Sequence, residues 1–131
     1  MILNGRGAKT EIISRALTTG GNITARGYIE GNAPEVKGHL ECRGLILQGG
    51  GVIHAIPELK GTLSGIDLYH EAAVGKIAEE EVEYLMARGL TRTEATATIV
   101  RGFLRVDIEG LPPVLSAELQ RVVEASEKEA M

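Results

Sequence analysis

The spacing of apolar residues changes period once, near Lys76, and that change restricts the fold more than any other feature of the chain. Before it, apolar residues come in short β-branched or aliphatic pieces: Ile12-Ile13, Ile23, Tyr28-Ile29, Leu45-Ile46-Leu47, Val52-Ile53 and Ile66 to Leu68. All 17 glycines except Gly89, Gly102 and Gly110 lie there too. Pieces this short, punctuated by glycine, fit strands joined by turns and not helices. A basic residue followed by Gly or Ala recurs at Arg15-Ala16, Arg26-Gly27 and Lys37-Gly38, in steps of eleven residues, and GYIEG from Gly27 matches GHLEC from Gly38 in pattern. Repeats of short strands predict a solenoid whose rungs stack into one core, because a single rung cannot cover its own apolar face. A small β-sandwich is the alternative.

After Lys76 the period becomes helical. Ile77, Val82, Leu85 and Met86 fall on one stripe, Glu79, Glu80, Glu81 and Glu83 supply solvated surface, and Gly89 is a natural stop. Thr91 and Glu94 have the spacing of a capping box ahead of Ile99, Val100, Phe103 and Leu104. Pro112-Pro113 blocks continuation and opens a third helix carrying Leu115, Leu119, Val122 and Val123. The expected organisation is a β core over residues 1–75 and a three-helix region over 76–131. Such a tail has little interior of its own and must rest on the β part or on another protein.

Bulk composition excludes several classes. With 131 residues, 44% hydrophobic and 24% charged, the chain is globular and not disordered. A net charge of -4 with scattered Lys and Arg offers no broad cationic face for nucleic acid. No apolar stretch reaches the length of a signal sequence core or a membrane span, so a cytoplasmic location is expected, and the lone Cys42 forms no intrachain disulfide.

Nothing matches a phosphate loop, a His-Glu-x-x-His zinc motif, a Cys-x-x-Cys pair or a nucleophile elbow. Gly49-Gly50-Gly51 reads as a tight bend. The residues able to carry chemistry are Cys42, His39, His54 and the His70-Glu71 pair. Strand parity puts Leu40 and Cys42 on one face and His39, Glu41 and Arg43 on the other, so Cys42 reads as a small buried hydrophobe. The same parity groups His70 with Ile66 and Leu68 and sends Glu71 the other way. A His70–Glu71 chelate therefore needs a bulge or the end of the strand, and the handover to the first helix is such an end. One thiolate falls short of the four ligands common for an iron-sulfur cluster, so any cluster site calls for a dimer presenting the patch twice.

The stretches HEAAVGKIAEEEVEYLMARGL from His70, EATATIVRGFL from Glu94, LECRGLIL from Leu40 and IHAIPEL from Ile53 resemble the core domain of the SufB/SufD family, scaffold components of the SUF iron-sulfur cluster assembly system. The resemblance implies a short right-handed parallel β-helix followed by a helical C-terminal region. It implies a homodimer or a heterodimer with a SufB/SufD relative through the β part, and docking of the ABC-type ATPase SufC by the helices. By position, Cys42, His70 and Glu71 match family residues that are candidate cluster ligands at a subunit interface, and Glu71 matches SufB more than SufD. Family members are typically several times longer. Ala78 stands where the family usually has a capping Ser.

The expectation is a SufB/SufD-like scaffold, not an enzyme, with an iron-sulfur cluster held transiently between subunits and not by the isolated chain, and with no nucleic acid or membrane partner. A metal-free structural module of the same complex is the first alternative. A small β-solenoid enzyme using His39, His54 or His70 is the second.

Overall fold

A computed structural model describes residues 1–47, 49–105, 108 and 110–130, with side chains through residue 125. The chain divides into two units, Met1–Lys76 and Ile77–Met131. The first holds β1 (Ile2–Leu3), β2 (Lys9–Thr18), β3 (Asn22–Gly31), β4 (Lys37–Ile46), β5 (Val52–Gly61) and β6 (Asp67–Lys76). Odd strands form one sheet in the order β1-β3-β5 and even strands another in the order β2-β4-β6, all pairs parallel. The chain thus alternates between two sheets and stacks each coil on the one before. This is a parallel β-helix, not a sandwich of antiparallel hairpins.

One coil spans 28 residues where Glu11 meets His39 and 30 where Glu30 meets Lys60. The eleven-residue steps of the sequence are therefore not rungs. Arg15, Arg26 and Lys37 lie on three successive strands, in register with Arg43, Ile56 and Lys9. The likeness of GYIEG to GHLEC has another cause. A Cβ on Gly27 would stand 2.4 Å from Leu40 Cδ1, and one on Gly38 would stand 3.0 Å from Ile29 Cγ2. Each strand sets a glycine opposite the other's large side chain, so β3 and β4 approach closely across the interior. The matching pattern records reciprocal packing between facing strands.

The core follows from that approach. Ile29, Val36 and Leu40 are almost fully buried, joined by Leu3, Ala33 and Cys42, with Ile12, Leu59, Ile66 and Leu68 against them. Burial in the even sheet peaks at its centre. The central strand β4 buries Gly38, Leu40, Cys42, Gly44 and Leu45, whereas none of the ten described residues of the edge strand β6 is buried. At one turn of the coil Gly7, Glu35 and Gly65 occupy equivalent positions, all left-handed, with φ of 68°, 62° and 78°. Glycine bears this conformation without strain, while Glu35 holds it against the usual steric cost.

The second unit contains α1 (Glu79–Ala87), α2 (Arg92–Leu104) and α3 (Pro113–Ala130). Ala78 occupies the N-cap of α1 and supplies no side-chain bond; Glu79, Glu80 and Glu81 in the first turn complement the helix dipole instead. At the other end Gly89 (φ 100°) donates its N–H to Met86 O at 2.9 Å, and Leu90 donates to Leu85 O at 3.4 Å, a Schellman closure. The capping box opens α2: Thr91 Oγ1 accepts from the Glu94 N–H at 3.3 Å, and Glu94 Oε2 accepts from the Thr91 N–H at 2.8 Å. No helix among the described residues is long and apolar enough to cross a membrane.

Replacing Gly27 by Ala forces Leu40 out of its seat and is expected to destabilise the β unit by about 1–3 kcal/mol in chemical denaturation. Combining it with Leu40→Ala should cost less than the two changes summed, because each relieves the other's misfit.

Candidate functional site

The candidate site lies where β4 and β6 run side by side. Their pairing sets Leu40 opposite His70, Glu41 opposite Glu71 and Cys42 opposite Ala72. Because alternate residues share a face, Leu40, Cys42, His70 and Ala72 all lie on the inner side of the even sheet. Cys42 and His70 are therefore diagonal neighbours within a single chain. Strand spacing and rise put their Cα atoms about 8 Å apart.

The two groups differ in environment. Cys42 is 5% exposed and belongs to the core cluster. Its thiol pKa is pushed up, first by burial and then by the negative charge of Glu41. At neutral pH it is a protonated, shielded thiol and a poor nucleophile. His70 shares its face but lies on an exposed edge strand.

Glu71 does not join them. β6 is paired with β4 without interruption from Asp67 to Lys76, so His70 and Glu71 sit in mid-strand and not at the handover to the helices, and no bulge turns the carboxylate inward. The expected two-residue chelate is absent from this strand because regular pleating sends adjacent side chains to opposite faces. Among the described residues, no group of three or more His, Cys, Asp or Glu side chains gathers to hold a metal ion.

The outer face of the same sheet carries two cross-strand chains. In the first, His39 Nδ1 lies 3.1 Å from Glu11 Oε1, and the His39 ring stacks on Tyr69 with centroids 4.4 Å apart and planes 19° from parallel. Nδ1–H is thus the donor to the carboxylate, while Nε2 is covered and has no partner among the described residues. In the second, Arg15 pairs with Glu41, Glu41 with Arg43 at 3.3 Å, and Arg43 donates to Glu71 at 3.3 Å. Arg15 and Glu41 are largely hidden, at 16% and 13% exposed, so salt and solvent screen their pair less than an ordinary surface contact.

Strand parity alone missed these partners, since it treats each strand separately. Aligning the sequence at coil length brings Glu11, His39 and Tyr69 into one column. His54 lies on the other sheet, in register with Thr24. Its neighbour Ile53 reaches the inner-face position of Gly44, so His54 faces outward. The three histidines therefore occupy three different faces: outer even sheet, outer odd sheet and inner even sheet.

Comparison with known proteins adds a separate finding. A family model described as SUF system FeS cluster assembly, SufBD core domain, matches residues 1–103. An iron-sulfur cluster assembly SufBD family protein of Archaeoglobus fulgidus is 52% identical over 130 residues, covering 99% of this chain and 35% of the relative. One of Methanothermobacter thermautotrophicus is 54% identical over 129 residues, covering 98% and 32%. The iron-sulfur cluster assembly protein SufB of Bacillus subtilis is 34% identical over 115 residues, covering 86% and 25%. This chain spans about a third of the length of the first two relatives.

The raised Cys42 pKa has a consequence for stability. Folding favours the neutral thiol, so its contribution is complete below the ordinary thiol pKa and is lost as pH rises through the higher folded value. Cys42→Ala is expected to remove this alkaline loss, read as a flatter dependence of unfolding free energy on pH. A thiol reagent should label native Cys42 more slowly than the urea-unfolded chain by at least about tenfold.

Proposed function

The chain belongs to the SufBD core-domain family, and from that premise we propose that it serves iron-sulfur cluster assembly as a non-enzymatic scaffold. The observation that carries this reading is the shared inner face of Cys42 and His70 on β4 and β6. One sulfur and one imidazole supply half of a four-ligand set. A second protomer meeting the exposed β6 edge, where that face ends, would supply the other half. The cluster in this reading is cargo, held between subunits and passed on. Glu71, on the opposite face, takes part through Arg43 and not as a ligand beside His70.

The partner is a second copy or a SufB/SufD relative, pairing through the β unit. The edge strands support the choice of surface. No described strand pairs with the outer edge of β6, so its backbone donors and acceptors are open to another strand. The corresponding edge of the odd sheet, β5, contains Pro57, which lacks an N–H and interrupts such a ladder. The helical unit would dock the ABC-type ATPase SufC. Exposed Tyr84 and Met86 on α1, and exposed Val114 and Leu115 on α3, support a protein-binding role for these helices. Residence in the cytoplasm belongs to the same reading. So does the separation of His39, His54 and His70, which removes the grouping an acid–base enzyme would need.

A metal-free structural module is the second reading, and the buried, protonated Cys42 favours it. Anaerobic reconstitution with iron and sulfide separates the two, with sedimentation reporting mass. The scaffold reading expects a brown species at twice the monomer mass and at least about tenfold less bound iron in a Cys42→Ala/His70→Ala variant. Equal loading by that variant would remove the ligand role. SufC retention without any chromophore would establish the structural module.

A further inference from the structure

We propose that Tyr69 is a positioning residue for His70, acting through its stack on His39; this rests on the scaffold reading above. His70 is carried by an edge strand with no core residue to anchor it. β6 pairs on one side only, with β4, and none of its described residues is buried. A strand of this kind opens locally far more readily than the core. Yet the residue just before His70 is fastened. The Tyr69 ring lies on His39 at 4.4 Å and 19°, and His39 is in turn held by Glu11 at 3.1 Å. Tyr69 thus links β6 through β4 to β2, across all three strands of the sheet. The residue just after His70 is fastened as well, because Glu71 accepts from Arg43, which reaches Glu41 and through it Arg15 on β2.

The placement explains a feature that packing alone leaves unaccounted for. Tyr69 is 54% exposed, so its ring contributes little to the core, while the side-chain ring of His39 beneath it is only 17% exposed. Stacked rings are worth enough to slow a local opening by up to about tenfold. Since neighbouring residues on a strand project to opposite faces, fixing Tyr69 outward fixes His70 inward, toward the column of Leu40 and beside that of Cys42. The stack on one face therefore holds the orientation of a candidate ligand on the other.

The test uses the full chain carrying Tyr69→Leu or Tyr69→Phe. Amide hydrogen exchange should show the β6 amides that bond to β4 exchanging about tenfold faster in Tyr69→Leu, with amides between β3 and β5 unchanged. Tyr69→Phe, which keeps a stacking ring, should behave like the native chain. After anaerobic reconstitution with iron and sulfide, Tyr69→Leu should also lose the nitrogen hyperfine coupling that imidazole ligation produces, and Tyr69→Phe should keep it. Unchanged β6 exchange in Tyr69→Leu, or equally fast exchange in Tyr69→Phe, overturns the clamp. Faster exchange with the nitrogen coupling intact overturns the positioning role, since the stack would then be a stabilising contact only. The exchange measurement needs no cluster, so failure of the native chain to take up iron would defeat the scaffold reading and still leave the clamp decided.

Discussion

Parallel backbone pairing between strands one coil apart is the interaction on which the rest of this structure depends. Once Lys9 is paired with Lys37 and Lys37 with Asp67, every residue of β2, β4 and β6 is assigned a column and a face. The interior then has to be filled at the spacing the ladder imposes. Gly27 and Gly38 allow β3 and β4 to seat Leu40 and Ile29 reciprocally, and Gly44 does the same against Ile53, where a Cβ would come within 2.9 Å. A one-residue slip of β4 against its neighbours would turn Leu40 and Cys42 to solvent and Glu41 to the core, which is the cost that fixes its register.

The same ladder distributes the charged residues. Like charges fall opposite one another at Arg15 and Arg43 and at Glu41 and Glu71. The diagonal pairs, Arg15 with Glu41 and Arg43 with Glu71, turn that repulsive alignment into an alternating network. The odd sheet is stitched by Lys60 on β5, which donates to Glu30 on β3 at 2.9 Å, while the Tyr28 hydroxyl, on the same strand as Glu30, donates to that carboxylate at 2.5 Å. Cross-strand side-chain pairing thus supports both sheets from outside while the glycine-spaced interior supports them from within.

Much of this was legible in the residues. Glycine-punctuated apolar pieces before Lys76 and helical stripes after it correspond to six strands and three helices. The Thr91–Glu94 spacing marked the start of α2, Gly89 the end of α1, and Ala78 an N-cap without a side-chain bond. The length of the coil was not legible. Steps of eleven residues stood out because glycine recurs on facing strands, and a true period of 28 to 30 is realised too few times in this chain to stand out against them. The His70-Glu71 pair was misplaced for a related reason: local sequence shows where apolar residues thin out, while backbone pairing with β4 carries β6 on to Lys76.

By itself, the sequence determined what depends on near neighbours: the alternation that turns Cys42 inward with Leu40, the helix caps, and the resemblance carried by the residues from His70 onward. Only the tertiary structure decided which distant residues share a column. Glu11 meets His39, His39 meets Tyr69, and Cys42 acquires His70 as a diagonal neighbour through pairing between strands 28 to 30 residues apart, whose register is set by turn lengths and core packing together. The burial that raises the Cys42 pKa and the exposure of β6 are likewise properties of the stack. A strand's position in its sheet, central or at the edge, is written in no local pattern.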